Sequence, residues 1–321
     1  MSISPAPFFD DVAGGPAGGA AWWVQTSDDV RIRVAVWRPE GAVKGTVLMF
    51  PGRTEYIEKY GETATQLVSR GYTVLSVDWR GQGLADRLLD DRRVGHVGHF
   101  TDYQKDIAAV LRVAREQELP KPWHVIGHSM GGAITLRAVM EGMPVQSCAF
   151  TGPMWGIYFS PVMKPLSRIT MALAPIFGAM HKNPPSTSLG SYVLEQEFQG
   201  NTLTRDAEMY QMMRDQLTAY PDLALGAPSI HWLKEAVTEC AHLAGRASPD
   251  LPCLTYLGTN EQIVDRDPIR ARMPNWARGH LVEVPGGEHE VLMEAPNVRG
   301  PVFDQLDHLF TTGDAKAAAK A

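Results

Sequence analysis

The chain has 321 residues, of which 44% are hydrophobic and 21% charged, and its formal net charge is −6. That balance suits a soluble globular protein with a sizeable core, and a negative surface disfavours nucleic acid as a partner. Three cysteines, Cys148, Cys240 and Cys253, stand far apart and odd in number, so neither a disulfide framework nor a CxxC metal site is expected.

The first residues, MSISPAPFFDDVAGG, lack a basic region followed by a long apolar one and do not read as a signal peptide. The stretch GGPAGGAA reads as a loop. Arg31–Trp37 (RIRVAVW) alternates polar and apolar residues, which predicts a half-buried strand. Thr46–Phe50 and Thr73–Val77 are continuous apolar and β-branched runs, as buried parallel strands are. A helix is predicted over Glu58–Arg70, ending at Gly71, and another from Thr101 as its cap to Glu118, ended by Pro120 and Pro122. A strand (Trp123–Ile126), a helix (Gly131–Glu141) and a strand (Gln146–Phe150) follow. This alternation implies a mainly parallel sheet covered on both faces. It stops at residue 152. Residues 152–246 carry Met, aromatic and Pro residues and helical pieces at Leu203–Leu217 and Ser229–Cys240. Strands resume at Leu251–Leu257 and Leu281–Val284, and a last helix is predicted at Pro301–Phe310. The tail DAKAAAKA is expected to fray. The expected organisation is an α/β core, residues 1–151 and 247–321, interrupted by a mostly helical insertion, residues 152–246. No run reaches the roughly 18 apolar residues of a spanning helix.

Residues 127–131, Gly-His-Ser-Met-Gly, form a G-x-S-x-G turn between a predicted strand and a predicted helix. There the glycines permit a strained turn that lifts Ser129 above the sheet edge, at a helix N-terminus. A serine hydroxyl needs an adjacent base. His289, in the loop VPGGEHEV after the strand 281–284, is the candidate. HEVLM is not a zinc helix, because Met293 stands where HExxH requires His. His96 and His99 lack a further ligand nearby, so no metal is expected there. His128 is expected to pack or hydrogen-bond locally. An oxyanion needs two backbone N–H donors. Met130 follows the nucleophile, and Arg53 lies in the loop after Thr46–Phe50.

With these pieces placed, the chain resembles the serine hydrolases of the monoacylglycerol lipase and bacterial lysophospholipase group. The matching segments are FPGRTEYIEKY (50–60), SVDWRGQGLADR (76–87), GHVGHFTDY (95–103), WHVIGHSMGGA (123–133), TGPMWGI (151–157) and APSIHWLKEA (227–236). The resemblance implies an α/β-hydrolase fold with an eight-stranded, mostly parallel sheet, and a cap over the active site at 152–246. It implies hydrolysis of a lipid ester through an acyl-Ser129 intermediate, without a cofactor. Met154, Trp155, Tyr158 and Phe159 could line an acyl channel or simply pack the cap. Arg53 and Arg80 suit a phosphate, which favours a lysophospholipid as substrate, with a monoacylglycerol lipase or a broad carboxylesterase as the alternative. A structural salt bridge is the other reading of those arginines. A non-catalytic binding protein on the same fold is the alternative of another class. The greasy stretch Ile169–Met180 is expected to be buried against the core, with docking on a membrane surface as the alternative. The expected location is cytoplasmic, or peripheral on the inner membrane face.

The third triad member should follow the strand that ends at Gly258, where LGTNEQIVDRDP offers Glu261, Asp265 and Asp267. Asp267 precedes Pro268 and reads as a helix cap. In the resembling family the acid stands three residues after the glycine, which is Glu261 here. Asp265 is the alternative.

Overall fold

The computed structural model of the chain describes residues 3–185 and 187–320. Its strands are β1 (Ile3–Ala6), β2 (Ala20–Gln25), β3 (Arg31–Trp37), β4 (Gly45–Phe50), β5 (Tyr72–Asp78), β6 (Trp123–His128), β7 (Ser147–Thr151), β8 (Cys253–Gly258) and β9 (Gly279–Val284). They form one sheet in the order β1-β2-β3-β5-β4-β6-β7-β8-β9. From β5 to β9 along that order all pairs are parallel, and β1, β2 and β3 pair antiparallel. The sheet thus has nine strands among the described residues, one more than the eight expected.

Strands β4 to β8 are buried along their whole length, because helices cover both faces. One core layer joins Leu48, Phe50, Val125 and Ile134. The other joins Val47, Ile126, Tyr256 and Phe303. The parallel registers Phe50↔Gly127, His128↔Thr151, Thr151↔Tyr256 and Gly258↔Val284 bring the carboxyl ends of β4, β6, β7, β8 and β9 to one edge. In open parallel sheets that edge is where ligands bind.

Between β7 and β8 the described residues contain no strand of the sheet. They contain the helices Met163–Leu173, Ala207–Ala219 and Ile230–Ala244, with shorter helical turns between them. The last of these helices has Ser229 as its cap, accepting from the Trp232 N–H at 3.0 Å. None of the helices among the described residues is long and apolar enough to cross a membrane.

Several expectations fail for physical reasons. β3 is buried rather than half-buried. Arg33 is fully enclosed, 2.7 Å from both Glu58 and Asp78, so its charge is neutralised inside the core. Thr101 does not cap the following helix. A 3-10 turn, Phe100–Asp102, precedes it, and Asp102 accepts from the His99 N–H instead. The tail does not fray over its described length. Asp314 caps the helix Ala315–Ala318, and Ala318 packs in the core layer of Phe303 and Phe310, while Ala321 lies outside the described residues. Ile169–Met180 is not buried. Ile169 and Leu173 face solvent, and Ile176 and Phe177 are 74% and 76% exposed. Cys148 and Cys253, distant in sequence, are register partners on β7 and β8. All three cysteines are buried free thiols.

Candidate active site

Ser129 opens the helix Ser129–Met140 directly after β6, with φ of +49°. A non-glycine residue there is strained, and strain of this kind persists where the surroundings hold it. Two contacts hold it here. Its carbonyl accepts from the Met154 N–H at 2.8 Å. The helix also lies close on β4: a Cβ on Gly131 would come within 2.2 Å of the Phe50 carbonyl oxygen. Any larger residue at 131 would push Ser129 off the sheet edge.

His289 comes from the loop after β9, and Glu261 from the loop after β8. His289 Nδ1 lies 2.6 Å from Glu261 Oε2, and both side chains are buried. The other carboxylate oxygen, Oε1, accepts from the N–H groups of Ile263 at 2.6 Å and Val264 at 3.1 Å. Burial pushes the Glu261 carboxyl up. The charge and hydrogen bond of His289 and the two N–H donors outweigh it and leave the group below its ordinary value. An ionised Glu261 holds a proton on Nδ1 of His289 and leaves Nε2 as the basic nitrogen. Gly152 makes room for this pair: a Cβ there would sit 3.0 Å from both Glu261 Oε2 and His289 Nδ1.

Asp265 is placed elsewhere. It is the cap of the helix Arg266–Arg272, accepting from the Asp267 N–H at 3.1 Å. Asp267, read as the cap from sequence, is in the first turn. The Asp-Pro pair is two positions further into the helix than expected.

The loop after β4 closes the other side. A Cβ on Gly52 would stand 3.0 Å from Ser129 Cβ, so the Gly52–Arg53 backbone passes directly beside the serine. Met130 is in the first turn of its helix, where N–H groups lack an intrahelical acceptor. The two segments expected to supply the oxyanion donors therefore flank Ser129.

A cavity of about 390 Å³ opens above, lined by Ser129, His289, Arg53, Met154, Trp232 and Leu217 among others. The Arg53 guanidinium lies over the Trp232 ring, 5.4 Å from its centre, and Nη2 donates to the Gly226 carbonyl. Its buried Nε has no hydrogen-bond partner, and no carboxylate among the described residues pairs with it. Burial lowers it to about 10.

Arg80 does not line this cavity. Its guanidinium is bonded to Asp28 at 2.8 and 3.0 Å and to Asp106 at 2.8 Å, so the salt-bridge reading holds for it. Of the four residues suggested for an acyl channel only Met154 lines the cavity. Trp155 packs in the core, 5.1 Å from Phe150 and stacked on Trp276, with its indole N–H donating to the Gly132 carbonyl at 3.3 Å. Tyr158 is exposed, and Phe159 borders a separate cleft beside Arg168. Trp232, Leu233 and Met213, which do line it, were read only as parts of helices. Their helical spacing signals burial without saying what is buried beneath.

A family model described as serine aminopeptidase, S33, matches residues 41–296. The chain belongs to that family. Among curated proteins, this S33-family hydrolase is 31% identical over 296 residues to lysophospholipase L2 of Escherichia coli strain K12, covering 88% of this chain and 85% of the relative. It is 29% identical over 150 residues to a monoacylglycerol lipase of Mycolicibacterium smegmatis, covering 46% of this chain and 51% of that one. Among solved structures, a soluble variant of monoglyceride lipase from Saccharomyces cerevisiae, in complex with a substrate analog, superposes with a TM-score of 0.68 at 20% identity. The match covers 89% of this chain and 93% of that one. At that identity the likeness speaks for the fold, an α/β-hydrolase core.

Proposed function

We propose that this S33-family hydrolase cleaves the carboxylic ester of a lysophospholipid. Ser129 Oγ attacks the ester carbon as His289 Nε2 takes its proton. The N–H groups of Arg53 and Met130 receive the negative oxygen. Imidazolium then protonates the departing alcohol oxygen of the head group. Water, deprotonated by the same nitrogen, releases the fatty acid from Ser129. Glu261 holds the ring throughout. Residues 152–246 act as the cap over this reaction.

The observation that carries the substrate class is Arg53, a half-buried guanidinium in the cavity that contains Ser129, with an enclosed Nε that lacks a partner and no carboxylate beside it among the described residues. A partly desolvated cation without a counter-charge is costly, and a phosphate diester in the substrate would relieve it. The test is Arg53→Gln, which keeps the backbone N–H. Turnover of a lysophosphatidyl ester should fall by about 10- to 100-fold in kcat/KM, the worth of a charge-assisted hydrogen bond. A monoglyceride of equal chain length should change little. An equal fall on both substrates would favour the monoglyceride reading. Covalent labelling of Ser129 by a fluorophosphonate separates either enzyme from a non-catalytic binder, which would not label.

The same reading includes peripheral contact with a lipid surface. Val162, Leu166, Ile169 and Leu173 recur at helical spacing and all face solvent, continuing into Ile176 and Phe177. Lys164, Arg168 and Lys182 are exposed nearby. An apolar stripe bordered by basic residues suits an anionic lipid interface.

A further inference from the structure

A second set of charged groups lies beside the candidate triad, and the reaction as written does not use it. Glu55, Lys59 and Tyr60 come from the segment after β4, His128 from the end of β6, and Glu290 directly follows His289. All five are buried. Lys59 Nζ donates to Glu55 Oε1 and to Glu290 Oε1, both at 2.5 Å. Glu55 Oε2 accepts from the Tyr60 hydroxyl at 2.5 Å and from the Gly52 N–H. Glu55, His128 and Glu290 bring ligand-type atoms within 4.8 Å of one another, but the Lys59 ammonium already bridges the two carboxylates, so a cation is in place.

His128 faces acceptors on both sides of its ring. Nδ1 lies 3.0 Å from the Thr151 carbonyl oxygen, which can only accept, and 2.9 Å from the Thr151 hydroxyl. Nε2 lies 3.2 Å from Glu290 Oε2 and 3.4 Å from Glu55 Oε1. With its one hydrogen on Nδ1 a neutral ring would turn the Nε2 lone pair on two carboxylates, and with it on Nε2 the Nδ1 lone pair could accept from the Thr151 hydroxyl but would still face the Thr151 carbonyl oxygen at 3.0 Å. Charge counting agrees. Two carboxylates and one ammonium leave one uncompensated negative charge in a buried site, and a proton on His128 cancels it.

We propose that His128 is a permanent imidazolium, and that this buried cation is a positioning group for His289. The two rings lie 4.7 Å apart, centre to centre. The charged or titratable groups around the pair are Glu55, Lys59 and Tyr60 from the β4 side, Glu290 and Glu261 from the β8 and β9 loops, and Ser129. Burial alone would lower His128, but Glu290 and Glu55 raise it above its ordinary value. Glu290 is likewise held well below its own, against burial, by His128 and Lys59. The fixed positive ring faces His289 on one side and the Glu261 carboxylate on the other, so the two charges act on the same ring in opposite senses.

The first half of this inference stands on the His128 surroundings. The second rests on the proposed role of His289 as base. The test separates them. Ring nitrogen NMR of the wild-type protein at pH 9 reads every histidine, and exposed ones are neutral there. One ring should remain an imidazolium, persisting in His289→Gln and vanishing in His128→Asn. A spectrum with no imidazolium at pH 9 overturns the proposal without any variant being needed. The acid limb of kcat/KM against pH is then compared in wild type and His128→Asn. It should move up by about one pH unit when the positive neighbour is removed. An unmoved limb in a folded variant overturns the positioning role. Failure of Ser129 to label with a fluorophosphonate would instead count against the hydrolase reading and leave the ring spectrum untouched.

Discussion

Glu261 commits one oxygen to His289 and the other to two backbone N–H groups, so both its ionisation and its direction are fixed. Asp265 is engaged four residues on in starting a helix. The two substitutions should therefore separate cleanly. Glu261→Gln should lower kcat by about a thousandfold or more, by favouring the wrong tautomer of His289. Asp265→Asn should leave kcat nearly intact, and its thermal stability should fall by no more than the worth of a helix cap, about 1 kcal/mol. Steady-state kinetics of both variants decide it, and loss of turnover in Asp265→Asn alone would exchange the two roles. Ser129 and His289 were legible in sequence because a strand, a glycine turn and a helix make one pattern, and a glycine loop after a strand makes another. Glu261 was legible only through the resemblance, since three acids in seven residues look alike until hydrogen bonds tell them apart. Arg80 misled, because nothing in RGQG reveals that Asp28 and Asp106 fold back onto it.

At the scale of elements, the central strands could be read because burial on both faces makes each a continuous apolar run. β1 and β2 could not. β2 follows a glycine-rich loop and mixes small and aromatic residues (AAWWVQ), and β1 is four residues at the sheet edge. The helix Met163–Leu173 inverts the rule that apolar stripes face inward, and sequence periodicity is the same for either direction. Its exposed stripe makes a prediction of its own. Ile176→Asp with Phe177→Asp should reduce sedimentation with vesicles of anionic phospholipid, by about tenfold or more if both side chains enter the interface. Hydrolysis of a short-chain ester dissolved in water should be unchanged. Equal binding by the double variant would remove the lipid surface as a partner of the segment that follows this helix.

For the whole molecule, two buried histidines set an acid limit. Burial lowers His124 to about 4, and burial with the neighbouring His231 and His181 lowers His96 to about 4. Their unfolded values are about 6.5. The unfolded chain therefore takes up protons first as pH falls, and stability, full above about 6.5, declines progressively toward about 4. The melting temperature should fall across that interval. In His124→Asn the fall should be shallower, and an identical slope would show that this histidine does not contribute. His96 also joins core to cap, since His231 and His181 belong to residues 152–246 and lie 5.2 and 5.1 Å from it, ring to ring. Acid should loosen the cap as well as the sheet. The insertion, residues 152–246, has a further property that follows from where it leaves and rejoins the sheet. β7 and β8, which bound it, are hydrogen-bonded neighbours in register, Cys148 opposite Cys253. Because the two strands run parallel, the chain leaves β7 at Thr151, level with Tyr256, and re-enters β8 at Cys253, three residues or about 10 Å back along the neighbouring strand, on a sheet whose pairing does not depend on what lies between. Ser129 precedes the insertion and Glu261 and His289 follow it. A cap from another S33-family hydrolase could be grafted between Thr151 and Cys253 without re-registering a strand, exchanging the walls of the cavity while the triad keeps its place.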